Sequence, residues 1–374
     1  MTTEVGRRRL HVPDTLARAV LTILLLGLIG WVLLANVGNL EEVGQALGSV
    51  SAGSAALLLG LFLVTQSFVA AQLAITIPGL GMRRAAVAVE GAAAVSNTVP
   101  GPSGTATRLA MLRSWGYLTD DFARSWLFTS SLTNLVVLVM PVVAVVIAAA
   151  QWDLSAGVVI LAVIGLVVSI VGVILVWLML RSEAFSLRVG ALTGRVVRWA
   201  RGIAHRSPSA KDFAEAAVRF RDGLTETWTQ RGGRLVAAVL AVYLLNGLML
   251  GVSMRAVGLD AAVLPIGASA VVYAFVRLAT IVNFTPGGVG VVEALYTAAF
   301  VAVAPDANQS VIVAGVILFR GVTYAGPIVL GVAALLIWRL RRSWRRAPVP
   351  EPVAAAAIGA ALTDREMPGG DSPG

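Results

Sequence analysis

The sequence has no cysteine, a single lysine, two histidines and few charged residues of any kind. Without cysteine the chain forms no disulfide, no thiolate metal site and no cysteine nucleophile. His11 and His205 lie far apart in basic polar segments, so we expect no histidine cluster for a metal. No Gly-x-x-x-x-Gly-Lys loop occurs, which excludes this common phosphate-binding loop. We therefore expect no cofactor, no metal and no enzymatic activity.

Charge is scarce because apolar residues dominate the chain. Only 13% of the 374 residues are charged, whereas 57% are hydrophobic. A soluble domain carries about 25% charged residues, and about 20 consecutive apolar residues cross a bilayer as a helix. The net charge of +9 comes mostly from arginines in loops between apolar runs, which is typical of cytoplasmic loops and argues against nucleic-acid binding. The composition predicts an all-α polytopic membrane protein.

Six apolar stretches are long enough to be full transmembrane helices, and only the last contains a charge. They are Ala19–Ala35, Ala52–Ile77, Trp126–Ala150, Leu154–Leu180, Leu235–Met254 and Ala307–Trp338. The first resembles a secretory signal, but its apolar part is long and no small-x-small cleavage site follows, so we expect an uncleaved helix. Basic and acidic loops alternate along the chain, which predicts a cytoplasmic-membrane protein with both termini in the cytoplasm.

Two further apolar regions are each interrupted by an Asn-x-x-Pro-Gly-x-x-Gly motif. The first motif runs from Asn97 to Gly104 and the second from Asn283 to Gly290. Because proline ends a helix and glycine permits a tight turn, each region predicts two half-helices in a re-entrant hairpin. The loop charges alternate correctly if the first hairpin enters from the cytoplasm and the second from outside. This arrangement predicts inverted-topology repeats, as in many transporters; two unrelated Pro-Gly turns are the alternative.

We expect residues 1–347 to form a single membrane domain. Its first repeat spans about 52–150 and its second about 235–340. Between them, arginines and regularly spaced apolar residues in 181–234 predict a cytoplasmic loop with amphipathic helices on the inner leaflet, or else a solvated linker. The low-complexity tail 348–374 is predicted to be disordered.

Charged side chains within a bilayer are rare and usually functional. Five lie in apolar surroundings: Glu90, Arg108, Arg277, Glu293 and Arg320. Their signs nearly cancel, so a structural ion-pair network is one interpretation. The other is a substrate site, because a half-helix that begins after a Pro-Gly turn points free N–H groups and the positive end of its dipole into the membrane. An anionic group such as a phosphate binds well there.

Four successive motifs resemble the flippase-like family, which is the family of the membrane domain of lysylphosphatidylglycerol synthases. In chain order they read "LPGL", "VPGPSGTATRLAML", "TPGGVGVVEALYTAAF" and "LFRGVTYAGPIVLGV". One departure is Pro102-Ser103 inside the first turn, where related sequences often have more glycine. By the family pattern the corresponding residues are Pro100, Gly104 and Arg108 in the first turn, Pro286, Gly287, Gly288, Gly290 and Glu293 in the second, and Arg320, Tyr324 and Pro327 in the last helix.

The resemblance implies lipid transport without the soluble domain that aminoacylates the lipid. We expect the chain to flip a phospholipid or a lipid-linked precursor across the cytoplasmic membrane, with membrane lipids that have an anionic headgroup as its partners. One alternative is an ion-coupled transporter of a small anionic solute. The other is a non-transporting accessory subunit of a membrane glycosyltransferase or lipid-modifying enzyme.

The predicted substrate site combines the two turns with the charges beside them. We expect Arg108 to contact the phosphate and Glu293 to balance one arginine when no substrate is bound, because the arginine fork holds either anion. Asn97 and Asn283 are expected to bond carbonyls freed by the breaks, and Glu90 and Arg277 are secondary charges. The complete set is Asn97, Pro100, Gly104, Arg108, Asn283, Pro286, Gly287, Gly288, Gly290, Glu293, Arg320 and Tyr324.

Overall fold

The computed structural model describes five continuous ranges of the chain and a few isolated positions. The ranges are 40–99, 102–151, 210–264, 266–280 and 288–346, and the isolated positions are Val167, Ile170, Val171 and Ile174. Everything that forms regular structure in these ranges is helical. The predicted span Ala19–Ala35 and nearly all of Leu154–Leu180 lie outside them, as does the tail 348–374.

The structure describes ten α-helices in the ranges given above. They are α1 (Leu40–Gly48), α2 (Ala52–Thr76), α3 (Met82–Thr98), α4 (Ser103–Ser114), α5 (Thr119–Gln151), α6 (Ala210–Ala256), α7 (Ile266–Ala279), α8 (Val291–Val303), α9 (Gln309–Arg320) and α10 (Gly326–Leu340), with a π-helical turn at Gly321–Ala325 and a short 3-10 turn at Arg342–Trp344.

Among the described residues, four helical stretches are long and apolar enough to cross a membrane. They are Ala52–Thr76, Thr119–Ala144, Arg231–Ala256 and Gln309–Leu340. These agree with four of the six predicted spans. Large apolar side chains are exposed along them, as expected where the surrounding solvent is lipid. The protein is therefore a multi-pass helical membrane protein.

Helix α6 is longer than the sequence pattern predicts. It runs unbroken from Ala210 to Ala256, so the predicted amphipathic segment before residue 235 continues directly into the span. The rest of the predicted loop, residues 181–209, lies outside the described residues.

Helices α3 and α4 fold back on each other at the first Pro-Gly motif. The first ends at Thr98 and the second begins at Ser103, which agrees with the predicted break. A Cβ atom added to Gly104 would lie 2.6 Å from both the carbonyl oxygen of Ala92 and the Cβ of Ser96. Glycine is required here because α4 starts directly against α3.

Helices α7 and α8 flank the second motif. Gly288 and Gly290 have φ angles of 68° and 84°, a conformation that glycine adopts without strain. Gly290 is the N-cap residue of α8, immediately before Val291. The break at the first motif is thus described. At the second motif, α7 ends at Ala279 and α8 begins at Val291, and residues 281–287 lie outside the described ranges. That the two regions form re-entrant hairpins of opposite direction stays a prediction.

Helices α9 and α10 form one long crossing that the π turn interrupts. The first half packs against α1, α6 and α8, whereas the second packs chiefly against α3. Gly331 of α10 touches the backbone carbonyl of Glu90 so closely that a Cβ atom there would collide with it. Through these contacts the last crossing joins the two predicted repeats. The π turn lies between its two halves, and turns of this type are rare and frequently mark functional sites.

Candidate functional site

A cavity of about 430 Å³ lies among the membrane-spanning helices. Helices α2, α3 and α5 contribute to its wall from the first half, and α6 to α9 contribute from the second. The size falls within the range of ligand-binding pockets, about 300–1,000 Å³. Two of the five intramembrane charges, Arg277 and Arg320, line it together with Asn97.

Arg320 at the cavity forms an ion pair with Glu293. Its Nε donates to Glu293 Oε1 at 2.6 Å, and the two side chains are only 15% and 11% exposed. The other carboxylate oxygen, Oε2, accepts from the backbone N–H of Gly290 at 2.5 Å. Glu293 is the third residue of α8, the position from which an acidic side chain folds back to cap its own helix. Glu293 thus balances an arginine, and that arginine is Arg320.

Arg277 reaches the same cavity from the last turn of α7. Arg277 is an exposed residue, and no carboxylate pairs with it in the part of the chain that the structure describes. Tyr243 and Tyr273 form the adjacent wall, with ring centroids 5.0 Å apart in an edge-to-face arrangement. A guanidinium at such a cavity offers a planar fork of hydrogen-bond donors that can hold an anion.

Asn97 and Tyr324 bond to each other twice. The Asn97 side-chain amide donates to the Tyr324 carbonyl at 3.3 Å, and the Tyr324 hydroxyl donates to the Asn97 carbonyl at 2.8 Å. Asn97 therefore does bond a backbone carbonyl, but one in the π turn rather than in its own hairpin. These two bonds fix the end of α3 against the middle of the last crossing.

Glu90 and Arg108 do not line the cavity. Glu90 is 7% exposed, and its Oε1 accepts from the Gln66 side chain at 2.7 Å. Glu90 Oε2 and Arg108 Nε are both buried without a hydrogen-bond partner among the described residues. Arg108 is the opposite charge that acts on Glu90. That Arg108 contacts a phosphate stays a prediction, and the cavity geometry favours Arg277 for this role.

Several lining residues were not among the predicted site residues. Gln72 and Asn246 are uncharged amides within apolar spans, which is the signal that would have identified them. The tyrosines Tyr243, Tyr273 and Tyr296 carry no such signal, because a tyrosine in an apolar helix is as often a packing residue. Four predicted site residues fall outside the described ranges: Pro100, Asn283, Pro286 and Gly287.

The fold and the site together define the class, a multi-pass helical membrane protein with charged groups at a cavity among its spans. The chain belongs to the family described as the lysylphosphatidylglycerol synthase TM region, whose profile matches residues 15–331. The resemblance predicted from the motifs is thereby confirmed. Comparison with curated proteins and with solved structures gives no significant match.

Proposed function

We propose that the protein moves a phospholipid or a lipid-linked precursor between the leaflets of the cytoplasmic membrane, with the headgroup passing through the described cavity. The observation that carries the proposal is the position of Arg277 and Arg320 in a cavity among membrane spans. Family membership supports a role connected with lipids. The predicted N- and C-termini in the cytoplasm are part of the same proposal.

The arrangement of charges supports an anionic substrate group. A guanidinium within the bilayer costs about 2.5–3.5 kcal/mol even on the lower scales, so it requires a partner or a function. Arg320 has such a partner in Glu293, whereas Arg277 faces the cavity. A lipid phosphate entering the cavity would supply the missing counter-charge to Arg277 through charge-assisted hydrogen bonds.

The test is translocation by the purified protein in liposomes. Fluorescent phosphatidylglycerol in the inner leaflet is protected from dithionite until it moves outward, so its loss of fluorescence reports leaflet movement. Arg277→Ala should slow this movement about 10- to 100-fold, which corresponds to a lost charged hydrogen-bonding group. Arg277→Lys should recover little, because an ammonium lacks the planar fork.

Arg124→Ala is the matched control, since Arg124 is an exposed arginine on α5 that pairs with Asp121 outside the cavity. It should translocate lipid as the wild type does. A wild-type protein that moves no lipid but takes up a soluble anion would establish the solute-transporter alternative. A protein that does neither and co-purifies with a glycosyltransferase or lipid-modifying enzyme would establish the accessory role.

A further inference from the structure

The charges around the cavity do not balance. Its described lining contains two arginines and no acidic residue. The nearby carboxylate of Glu293 uses one oxygen for Arg320 and the other for Gly290. The undescribed stretch between α7 and α8, residues 281–287, contains no charged residue either. Two arginines against one glutamate leave one positive charge in excess at the described site.

Neutral hydrogen-bonding groups accompany this excess charge. Three side-chain amides line the cavity, and each donates its NH₂ group to a backbone carbonyl: Asn246 to Val242 at 2.7 Å, Asn97 to Tyr324 at 3.3 Å and Gln72 to Ala238 at 3.4 Å. Their amide oxygens make no hydrogen bond to the described residues and remain able to accept a hydroxyl hydrogen.

Tyr243, which also lines the cavity, has an unpartnered hydroxyl. The residue is 8% exposed, and its Oη is buried without a hydrogen-bond partner in the described part of the protein. A buried hydroxyl without a partner is costly. Edge-to-face packing on Tyr273 restrains the Tyr243 ring at the cavity. A ligand oxygen would satisfy this hydroxyl, which makes Tyr243 a second and independent indication of a ligand.

We propose that this cavity selects an anionic phospholipid headgroup that carries free hydroxyls, a phosphoglycerol or a phosphosugar, and rejects an aminoacylated headgroup. The inference rests on the proposed function and narrows its substrate class. The phosphate pairs with Arg277, and the headgroup hydroxyls bond the amide oxygens and Tyr243. A lysyl ester adds two ammonium groups to one phosphate, so its headgroup is cationic and is repelled by the unbalanced arginine. This selectivity differs from what the name of the family implies.

Lipid retention tests the selectivity separately from translocation. The full-length protein is equilibrated in mixed micelles with equal amounts of phosphatidylglycerol and lysylphosphatidylglycerol, and the bound lipid is identified by native mass spectrometry. We expect phosphatidylglycerol to be retained at least about tenfold over its lysyl ester. Equal retention, or a preference for the lysyl ester, would overturn the inference. The liposome assay would still decide the proposed function on its own.

Charge reversal at Arg277 supplies the second arm. Arg277→Glu should reverse the preference toward the lysyl ester, and Arg277→Gln should bring the ratio close to one. If Arg277→Glu does not fold, as judged by its size-exclusion elution profile, Arg277→Gln still tests the role of the arginine. An unchanged ratio in a folded Arg277→Gln protein would overturn the assignment of the arginine.

Tyr243→Phe removes one oxygen and leaves the ring in place. It should lower phosphatidylglycerol retention about three- to tenfold, the effect of one hydrogen bond. Tyr117→Phe is the matched control, because the Tyr117 hydroxyl donates to the Gly79 carbonyl away from the cavity. Equal effects of the two substitutions would remove Tyr243 from the site.

The last arm separates a lipid headgroup from a free anion. Inorganic phosphate is added at millimolar concentration to the protein with phosphatidylglycerol bound. We expect the lipid to remain bound. Displacement by phosphate would show that the cavity takes a soluble anion, and it would overturn the headgroup assignment.

Discussion

Replacement of Glu293 by alanine should strongly destabilise the protein, because its carboxylate accepts hydrogen bonds from two neighbouring groups. It accepts from Arg320 Nε and from the Gly290 N–H, and both members of the ion pair are largely buried. Removing one member of a buried pair costs about 3–5 kcal/mol, since the other stays charged. The lost N-terminal cap costs about 0.5–2 kcal/mol more. We expect the free energy of unfolding to fall by about 3.5–7 kcal/mol in total.

A double-mutant cycle isolates the pair from the cap. Arg320→Ala alone should cost about 3–5 kcal/mol, because it leaves the Glu293 carboxylate without its counter-charge. The combined variant removes both charges of the pair, so its loss should be about 2–3 kcal/mol smaller than the sum of the single losses. Unfolding in mixed detergent micelles, followed by circular dichroism, measures all three. Additivity within about 0.5 kcal/mol would refute the coupling.

The same variants distinguish a structural pair from a functional one. If the pair only holds α8 against α9, the double variant should recover both stability and lipid movement in liposomes relative to Glu293→Ala. If Arg320 also serves the substrate, the double variant should recover stability and still fail to move lipid.

Two further predictions concern packing and topology. Gly104→Ala should lower the free energy of unfolding by about 1–3 kcal/mol, because it forces α4 away from α3. Gly60→Ala on α2 is the control: a Cβ there meets nothing within 4 Å, so stability should stay unchanged or rise by up to about 1 kcal/mol. Comparable losses at both positions would show that the close approach of α4 to α3 is unimportant. In this naturally cysteine-free chain, single cysteines at Arg113 and Asp306 should react with a membrane-impermeant maleimide from opposite sides. Reaction from one side would disprove the inverted repeat.

The four described spans and the first helix break were predictable from sequence because local properties determine them. A long uncharged run must be helical in lipid, whichever helices surround it, so Ala52–Thr76 follows from composition alone. The break between Thr98 and Ser103 follows from a proline and glycines in series. Neither conclusion required knowledge of the tertiary contacts.

The composition of the cavity was less predictable because it depends on which helices meet. Intramembrane charges were identifiable in the sequence, but their partners were not. Arg108 and Glu293 occupy similar places in the two motifs, yet Glu293 pairs with Arg320 while Arg108 lies near Glu90. Tyr243 becomes a site residue only because α6 packs against α7, and that pairing has no signature in either helix.

The π turn at Gly321–Ala325 has a mechanical consequence. The crossing that contains it packs against α1, α6 and α8 before the turn and chiefly against α3 after it. Any swing of one half relative to the other therefore bends this helix, and the irregular turn is where it bends most easily. Arg320 is the last residue before the turn and Tyr324 lies within it. Bending at this turn would move Arg320 relative to Glu293 and Tyr324 relative to Asn97. A change in the shape of this one helix would therefore change the electric field in the cavity, without the opening of any loop.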